Sequence, residues 1–322
     1  MSAISENLLG LILALSLDLL LGWPAWLYRR IGHPVGWLAA PVTMLETLLN
    51  KPCFSDARRF VSGTALTLAG IASAGLIWAG LTGLTGYLPL TPVWLAILFW
   101  PFIAARSMYD HIEAVAIPLE KRDLSRARNA VSMIVGRDPS QLDQAGVSRA
   151  ALESLGENTS DGIIAPIFWG VLFGPAGMAA YKAINTFDSM IAHRNSRFEW
   201  FGKSAARIDD VANLLPARLT GLLYALTAGR RVKSILNVMW RDAGSHRSPN
   251  AGWPESALAA ALNVRLSGPR VYDGVVSPEP WLNGEGPDPD GTSLRRGLMH
   301  YRRLLALTAG CLLGLTALAH ML

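Results

Sequence analysis

The sequence predicts an all-α, polytopic membrane protein with four to six membrane-embedded helical segments, some broken or re-entrant, plus cytoplasmic helical segments. Three observations predict it. Hydrophobic residues make up 51% of the 322 and charged residues only 16%, where a soluble domain carries about a quarter of its residues charged. The apolar residues gather in blocks at 4–21, 61–84, 88–105, 163–180, 211–228 and 304–322. Lysine and arginine fall between those blocks and form no single stripe, so the net charge of +5 speaks for membrane orientation and against a nucleic-acid partner.

A bilayer core is spanned by ~20 mostly apolar helical residues. The second, third and last blocks meet that length comfortably. The first is shorter and carries Asp18. It reads as a retained membrane helix, because Glu6 is its only earlier charge and Gly22-Trp23-Pro24 is a poor cleavage site. The fourth block is interrupted by Gly174-Pro175 and the fifth by Pro216 and Arg218. Proline removes a backbone donor and an intramembrane charge is costly, so such breaks belong where protein shelters the backbone or a cavity wets it. Both blocks are expected to enter the membrane and return, leaving four true crossings.

Basic residues set the orientation. Arg29, Arg30, Lys51, Arg58 and Arg59 place the link after the first block in the cytoplasm, with the N-terminus outside. The polar stretches 106–161 and 230–303 are cytoplasmic by the same rule, within one membrane-embedded catalytic domain, 1–322. Residues 119–135 alternate apolar and charged positions with a helical period. Residues 268–292, rich in Gly, Pro and Asp, read as an exposed loop without periodicity. Cys53 and Cys311 match no metal or disulfide spacing.

Four polar stretches adjoin the apolar blocks. In Glu153-Ser-Leu-Gly-Glu157-Asn158-Thr159-Ser160-Asp161-Gly162, Glu157 and Asp161 share a helix face. Two close carboxylates invite a hard cation such as Mg²⁺. A plain helix cap by Asn158, Thr159 or Asp161 is the alternative. In 181–194, Lys182, Asn185, Asp188 and Ser189 fall along one helical side, followed by His193 and Arg194. In 201–220, Arg207, Asp210 and Asn213 share a face, with Lys203, Asp209 and Arg218 nearby. Gly202-Lys203-Ser204 is no phosphate-binding P-loop, since Arg197 stands where that motif needs its first glycine. In 246–255, Asn250 lies in a turn-rich loop, and Pro254 and Glu255 suit an ordinary helix start.

Together these stretches resemble the CobD/CbiB family, the membrane-bound adenosylcobinamide-phosphate synthases. The resemblance covers nearly the whole chain. It includes Asp18-Leu-Leu-Leu-Gly22-Trp23-Pro24, His33-Pro34-Val35, Arg106-Ser-Met-Tyr109-Asp110-His111 and Val131-Ser132-Met-Ile-Val135-Gly136-Arg137-Asp138, besides the four polar stretches. Gly156, where alanine is expected, is a small departure.

The resemblance implies a ligase that forms an amide between adenosylcobyric acid and (R)-1-aminopropan-2-ol O-phosphate, with ATP as cosubstrate and Mg²⁺. It also implies a multi-pass protein of the cytoplasmic membrane with its active site on the cytoplasmic side, and contact with later cobalamin-assembly enzymes. Residue type distributes the roles. Glu157, Asp161, Asp188, Asp209 and Asp210 are assigned to metal. Lys182, Asn185, Arg194, Lys203, Arg207, Arg218 and Asn250 are assigned to substrate and phosphate groups. Glu157, Asp188, His193 and Asp210 are the catalytic candidates. A transporter, or a non-catalytic membrane sensor like the AmpE proteins, would share the broken helices. Lys and Arg packed beside carboxylates favour phosphate chemistry over both.

Overall fold

The computed structural model describes residues 2–136, 138–193, 195–272 and 275–321. The helices are α1 (Ala3–Leu21), α2 (Ala25–Ile31), α3 (Pro34–Leu49), α4 (Asp56–Thr85), α5 (Thr91–Phe99), α6 (Ala105–Glu120) and α7 (Leu124–Val131), followed by α8 (Gln144–Thr159), α9 (Ala165–Ile191), α10 (Lys203–Ala212), α11 (Leu214–Leu226), α12 (Val232–Asp242), α13 (Gly252–Leu262) and α14 (Gly291–Met321). Strand, among the described residues, is confined to four short pieces, β1 (Leu266–Ser267), β2 (Arg270–Tyr272), β3 (Val275–Ser277) and β4 (Trp281–Leu282). Among the described residues, five helical stretches are long and apolar enough to cross a membrane: Ala3–Leu21, Asp56–Thr85, Thr91–Glu120, Gln144–Ile191 and Gly291–Met321. The all-α membrane architecture is as the sequence predicts.

The chain folds into two compact units. The first comprises Met1–Ala104, Ala165–Asn213 and Cys311–Leu322. In it, Ser2 caps α1 by accepting from the Ser5 N–H at 3.3 Å, and Gly22 ends it by donating to the Asp18 carbonyl at 2.8 Å. Small residues let the helices close up, the usual device where lipid supplies no hydrophobic drive. A Cβ added at Gly10 would sit 2.7 Å from Leu95 Cβ on α5, and one at Gly70 would overlap the Phe187 ring on α9. Trp26, Tyr28 and Trp37 stand exposed on α2 and α3 beside Arg29 and Arg30, the mixture that marks a membrane–water interface.

Helix α9 is two helices. Phe173 and Gly174 leave helical geometry, Gly174 at φ +66°, and Pro175 starts the second arm. A straight helix would hold Ala165 and Tyr181 about 24 Å apart, yet the two pack together with Ala212 in one cluster. A Cβ at Gly177 would meet the Trp169 carbonyl at 2.8 Å, which requires a reversal between them. Asn7 of α1 donates to the Gly170 carbonyl at 2.9 Å, satisfying an acceptor next to the turn. The fourth apolar block therefore doubles back at Gly174-Pro175. The fifth yields α10 and α11, and α11 at 13 residues is about 20 Å long, short of a ~30 Å core.

The third block has its expected spanning length within Thr91–Glu120, broken inside it: α5 ends at Phe99, Trp100–Phe102 form a 3₁₀ turn, and α6 starts at Ala105. Pro101 there cannot donate to the helix ladder. Two other expectations need correction. Residues 119–135 are not one surface helix, because Arg122 takes φ +58° and Asp123 caps a separate α7 through the Arg126 N–H at 3.0 Å. The 268–292 loop is anchored rather than structureless. β1 pairs antiparallel with β4, and β2 with β3.

The second unit comprises Ala105–Ile164 and Leu214–Gly310. Its centre is α13, buried along its whole length and packed by α8, α11 and α12. Its run of alanines admits that close approach, and Gly221 of α11 lies against the Trp253 carbonyl. The β1–β4 pair rests on α8, where buried Glu153 accepts from the Ser267 N–H at 2.7 Å. Beside it Asp288 accepts from Arg265 at 2.9 and 2.7 Å and from Arg149, and both guanidiniums lie over the Trp281 ring at 4.4 and 4.6 Å.

Two outcomes follow from this architecture. Single cysteines at Ser196 and Ser204, in a background lacking Cys53 and Cys311, should resist a membrane-impermeant thiol reagent in intact cells and react after permeabilisation. Labelling before permeabilisation would show that α9 crosses. The Arg265 hydrogen bond, opposed by burial and aided by Arg149, holds Asp288 down at about 2. A depressed carboxylate stabilises above its unfolded pKa of about 3.9 and loses that contribution as pH falls. Melting of the wild type should thus weaken between about pH 4 and 2 by more than that of Asp288→Asn; parallel curves would remove the assignment.

Candidate functional site

In the first unit, the reversal at Gly174 carries Lys182, Asn185 and Asp188 on the returning arm of α9. They stand three residues apart along one face, half-buried, and the Lys182 ammonium donates to Asn185 Oδ1 at 3.4 Å. Helix α10 packs on that arm and on α4. Its start is fixed by Gly202, where a Cβ would overlap the Ile191 carbonyl, and by the Thr64–Ser204 hydroxyl contact of 2.6 Å. The packing sets the Asp188 carboxylate within electrostatic reach of Asp210 on α10 and of His193 at the end of α9.

Neighbouring Asp209 faces the other way. It is buried and accepts from Asn213 Nδ2 at 3.0 Å, while Asn213 Oδ1 accepts from the buried Tyr181 hydroxyl at 2.8 Å. One of the two adjacent aspartates thus braces the core and the other joins Asp188. Lys203 and Arg207 are exposed on α10, with the Lys203 ammonium 4.4 Å from the Trp200 ring centre. His193 is exposed and edge-on to Phe198. Arg194, assigned to phosphate from the sequence, lies outside the described residues.

The loop between α9 and α10 is tied down by a network that sequence reasoning missed. Buried Glu46 accepts from Arg197 Nε at 3.0 Å and from Asn50 at 2.7 Å, and Asn50 accepts from Arg59 at 2.8 Å. Arg59 in turn donates to the carbonyls of Ser196 and Arg197. His33 is a second omission. It caps α3 by accepting from the Val35 N–H at 3.2 Å and meets Trp23 edge-on. Burial, with the Lys182 ammonium acting in the same direction, pushes its imidazole down to about 4, so it stays neutral at physiological pH.

In the second unit, Glu157 is exposed and Asp161 half-buried, where α8 widens into a π-helical turn over Ser160–Ile164 before α9. Such turns concentrate at functional positions. The capping alternative fails here. Asn158 donates to the Ser154 carbonyl at 2.9 Å and Thr159 meets Tyr224 at 2.8 Å, both from within a continuing helix. Arg218 stacks its guanidinium 4.4 Å from the Trp253 ring centre and donates to the Leu214 carbonyl. Buried Asn250 donates its N–H to Ser248 Oγ at 3.2 Å, and His246 Nδ1 accepts from the Ser248 N–H at 3.0 Å. The same loop places His246 Nε2 at 3.8 Å from the carboxylate of Glu255, a side chain 2% exposed. Glu255 is buried because α13 is packed on every side, although the sequence marks it only as a charge at a helix start.

The five carboxylates assigned to metal are therefore distributed. Asp188 and Asp210 lie within electrostatic reach of one another in the first unit, Asp209 turns inward, and Glu157 and Asp161 belong to the second. Among the described residues no three His, Cys, Asp or Glu side chains form a metal cluster. Mg²⁺ is usually held by one or two carboxylates together with water and substrate phosphates. The Asp188–Asp210 pair fits that pattern.

Fold and sequence together define a polytopic helical membrane protein that carries carboxylates, lysines and arginines on the helices beside its apolar segments. The family model described as CobD/Cbib protein matches residues 11–301. A cobalamin biosynthesis protein CobD from Rhodobacter capsulatus is 56% identical over 301 residues, 92% of this chain and 93% of that protein. Those from Rhizobium meliloti and Brucella suis are 45% and 46% identical, each covering 88% of the relative and 88% and 87% of this chain. No solved structure matches. The chain belongs to the CobD/CbiB family.

The two aspartates should separate by experiment. Asn213→Ala breaks the Asp209–Tyr181 bridge and should cost about 1–3 kcal/mol of stability, read as a lower melting temperature in detergent. Asp210→Asn should leave melting within about 0.5 kcal/mol of wild type. The reverse order would exchange their roles.

Proposed function

We propose that this chain works in cobalamin biosynthesis as an adenosylcobinamide-phosphate synthase of the cytoplasmic membrane. It would join a carboxyl of adenosylcobyric acid to the amine of (R)-1-aminopropan-2-ol O-phosphate at the cytoplasmic side, with cleavage of ATP. The observation that carries this reading is that α9 and α10 pack together with Asp188 and Asp210 in electrostatic reach and Lys182, Lys203 and Arg207 on the same two helices, in a chain of this family.

A carboxylate resists attack by an amine until one oxygen becomes a leaving group. Attack of the corrinoid carboxylate on the γ-phosphorus of ATP forms an acyl phosphate and releases ADP. The amine then forms the C–N bond, phosphate leaves with the C–O electron pair, and the amine proton passes to a base. Mg²⁺, when bound, neutralises phosphate charge during the first transfer. Asp188 and Asp210 would hold it through carboxylate oxygens. Lys203 and Arg207, exposed on α10, present cations to phosphate oxygens, the guanidinium pairing two at once. Lys182 and Asn185 orient one another on the same face. His193, exposed at the end of α9 and within electrostatic reach of Asp188, would take the amine proton. Glu157, Asp161, Arg218 and Asn250 are proposed, by residue type, for substrate contacts within the second unit.

The test is ATP consumption by the purified protein in detergent, which should require both cobyric acid and the aminopropanol phosphate. Asp188→Asn and Glu157→Gln should lower turnover about a hundredfold or more at saturating Mg²⁺ while still inserting and purifying. Lys203→Ala and Arg207→Ala should raise KM for a phosphate-bearing substrate about tenfold or more, with little change for the corrinoid. Corrinoid uptake into vesicles without ATP cleavage would favour a transporter.

A further inference from the structure

We propose that a cavity beside α6 and α14 in the second unit binds the phosphate of an anionic phospholipid. The cavity holds about 530 Å³ and its lining includes Tyr109, Arg295, Met299, Arg302, Arg303 and Ala306. The α14 members recur at 295, 299, 302, 303 and 306, a single stripe about three turns long. Their chemistry changes along the helix. Arg302 and Arg303 are the last lysine or arginine residues before the apolar run 304–322, so they stand where a membrane helix leaves the headgroup layer.

The charge balance of the cavity is positive. Arg295 is engaged by carboxylates, Glu120 at 2.6 Å and Glu113 at 3.0 Å. Arg303 donates only to the Thr227 carbonyl at 3.3 Å, and Arg302 has no hydrogen-bond or ion-pair partner among the described residues. Both are exposed. Two adjacent guanidiniums without a carboxylate partner form a bidentate receptor for phosphate oxygens. Ala306, one turn further along, is small and exposed, and Gly310 follows at the same spacing with no atom within 4 Å of where its Cβ would stand. That leaves an open apolar track leading from the arginines into the bilayer. Met299 packs the other side. A soluble phosphate would use the arginines and leave the track empty. A phospholipid uses both, and basic pockets of this kind at a membrane boundary suit anionic headgroups.

The site is separate from the residues proposed for catalysis, so lipid retention can be read without turnover. Full-length protein would be delipidated in detergent and reconstituted in phosphatidylcholine nanodiscs with or without phosphatidylglycerol, and bound lipid measured by native mass spectrometry. Phosphatidylglycerol should be retained selectively. Arg302→Gln, which removes no internal contact, should weaken retention about fivefold, and the Arg302→Gln/Arg303→Gln pair on the order of twenty-five-fold. Ala306→Trp should block the track and reduce retention with the arginines intact. Equal retention of phosphatidylcholine, or unchanged retention in Arg302→Gln, would overturn the proposal. Displacement of the lipid by glycerol 3-phosphate or inorganic phosphate as readily as by phosphatidylglycerol would also overturn it, assigning the arginines to a soluble anion.

Discussion

The backbone reversal at Phe173 and Gly174 is the constraint on which the first unit depends. A bilayer core supplies no water to unpaired peptide groups, so a chain that turns within it must find protein partners. Here Gly174 accepts a positive φ that a side chain would oppose, Pro175 needs no donor at the start of the second arm, and Asn7 reaches from α1 to the Gly170 carbonyl. With the turn in place, Ala165 returns to Tyr181, and Asn213 and Asp209 are bridged beneath them. The arm bearing Lys182, Asn185 and Asp188 then runs beside α10. A straight α9 would leave these polar groups without that helix.

Much of this was legible as pattern. Apolar length gave the membrane blocks, and Gly174-Pro175 marked the reversal because both residues act through the backbone, where identity predicts conformation. Pro101 obeys the same physics and was overlooked, since residues 88–105 look uniformly apolar and hydropathy does not count a missing N–H. The spacing of Lys182, Asn185 and Asp188 revealed a shared face. It could not reveal which helix lies opposite. Asp188 and Asp210 come within electrostatic reach only because α10 packs on α9, a long-range contact that no local period encodes.

The adjacent pair Asp209-Asp210 shows why a residue list overstates a site. Successive helical positions point about 100° apart, so two neighbouring carboxylates on short aspartate side chains seldom serve one ligand, whereas long arginines can converge. Asp209 is consumed by Asn213 and the core, leaving Asp210 for Asp188. Glu46 and Glu255 make the complementary point. Each is almost fully buried, yet neither stood out in the sequence, because their burial comes from tertiary packing. A buried carboxylate is tolerated when it is hydrogen-bonded and paired, and Arg197 and Asn50 do this for Glu46, fastening the loop that leads into α10.

The two units use different means to hold polar chemistry in an apolar protein. In the first, single polar side chains stitch helix ends together, as Asn7, Asn50 and Asn213 do, and glycine contacts set the helix spacing. In the second, one wholly buried alanine-rich helix, α13, lets α8, α11 and α12 approach closely, and a compact loop before it shelters His246, Asn250 and Glu255. The first arrangement leaves the cations on α10 exposed, because Lys203 and Arg207 form no ion pair among the described residues. The second fixes its polar groups before any ligand arrives. Exposed long cations can adjust to whatever approaches them, whereas polar groups already held by their neighbours lose little freedom when a ligand binds.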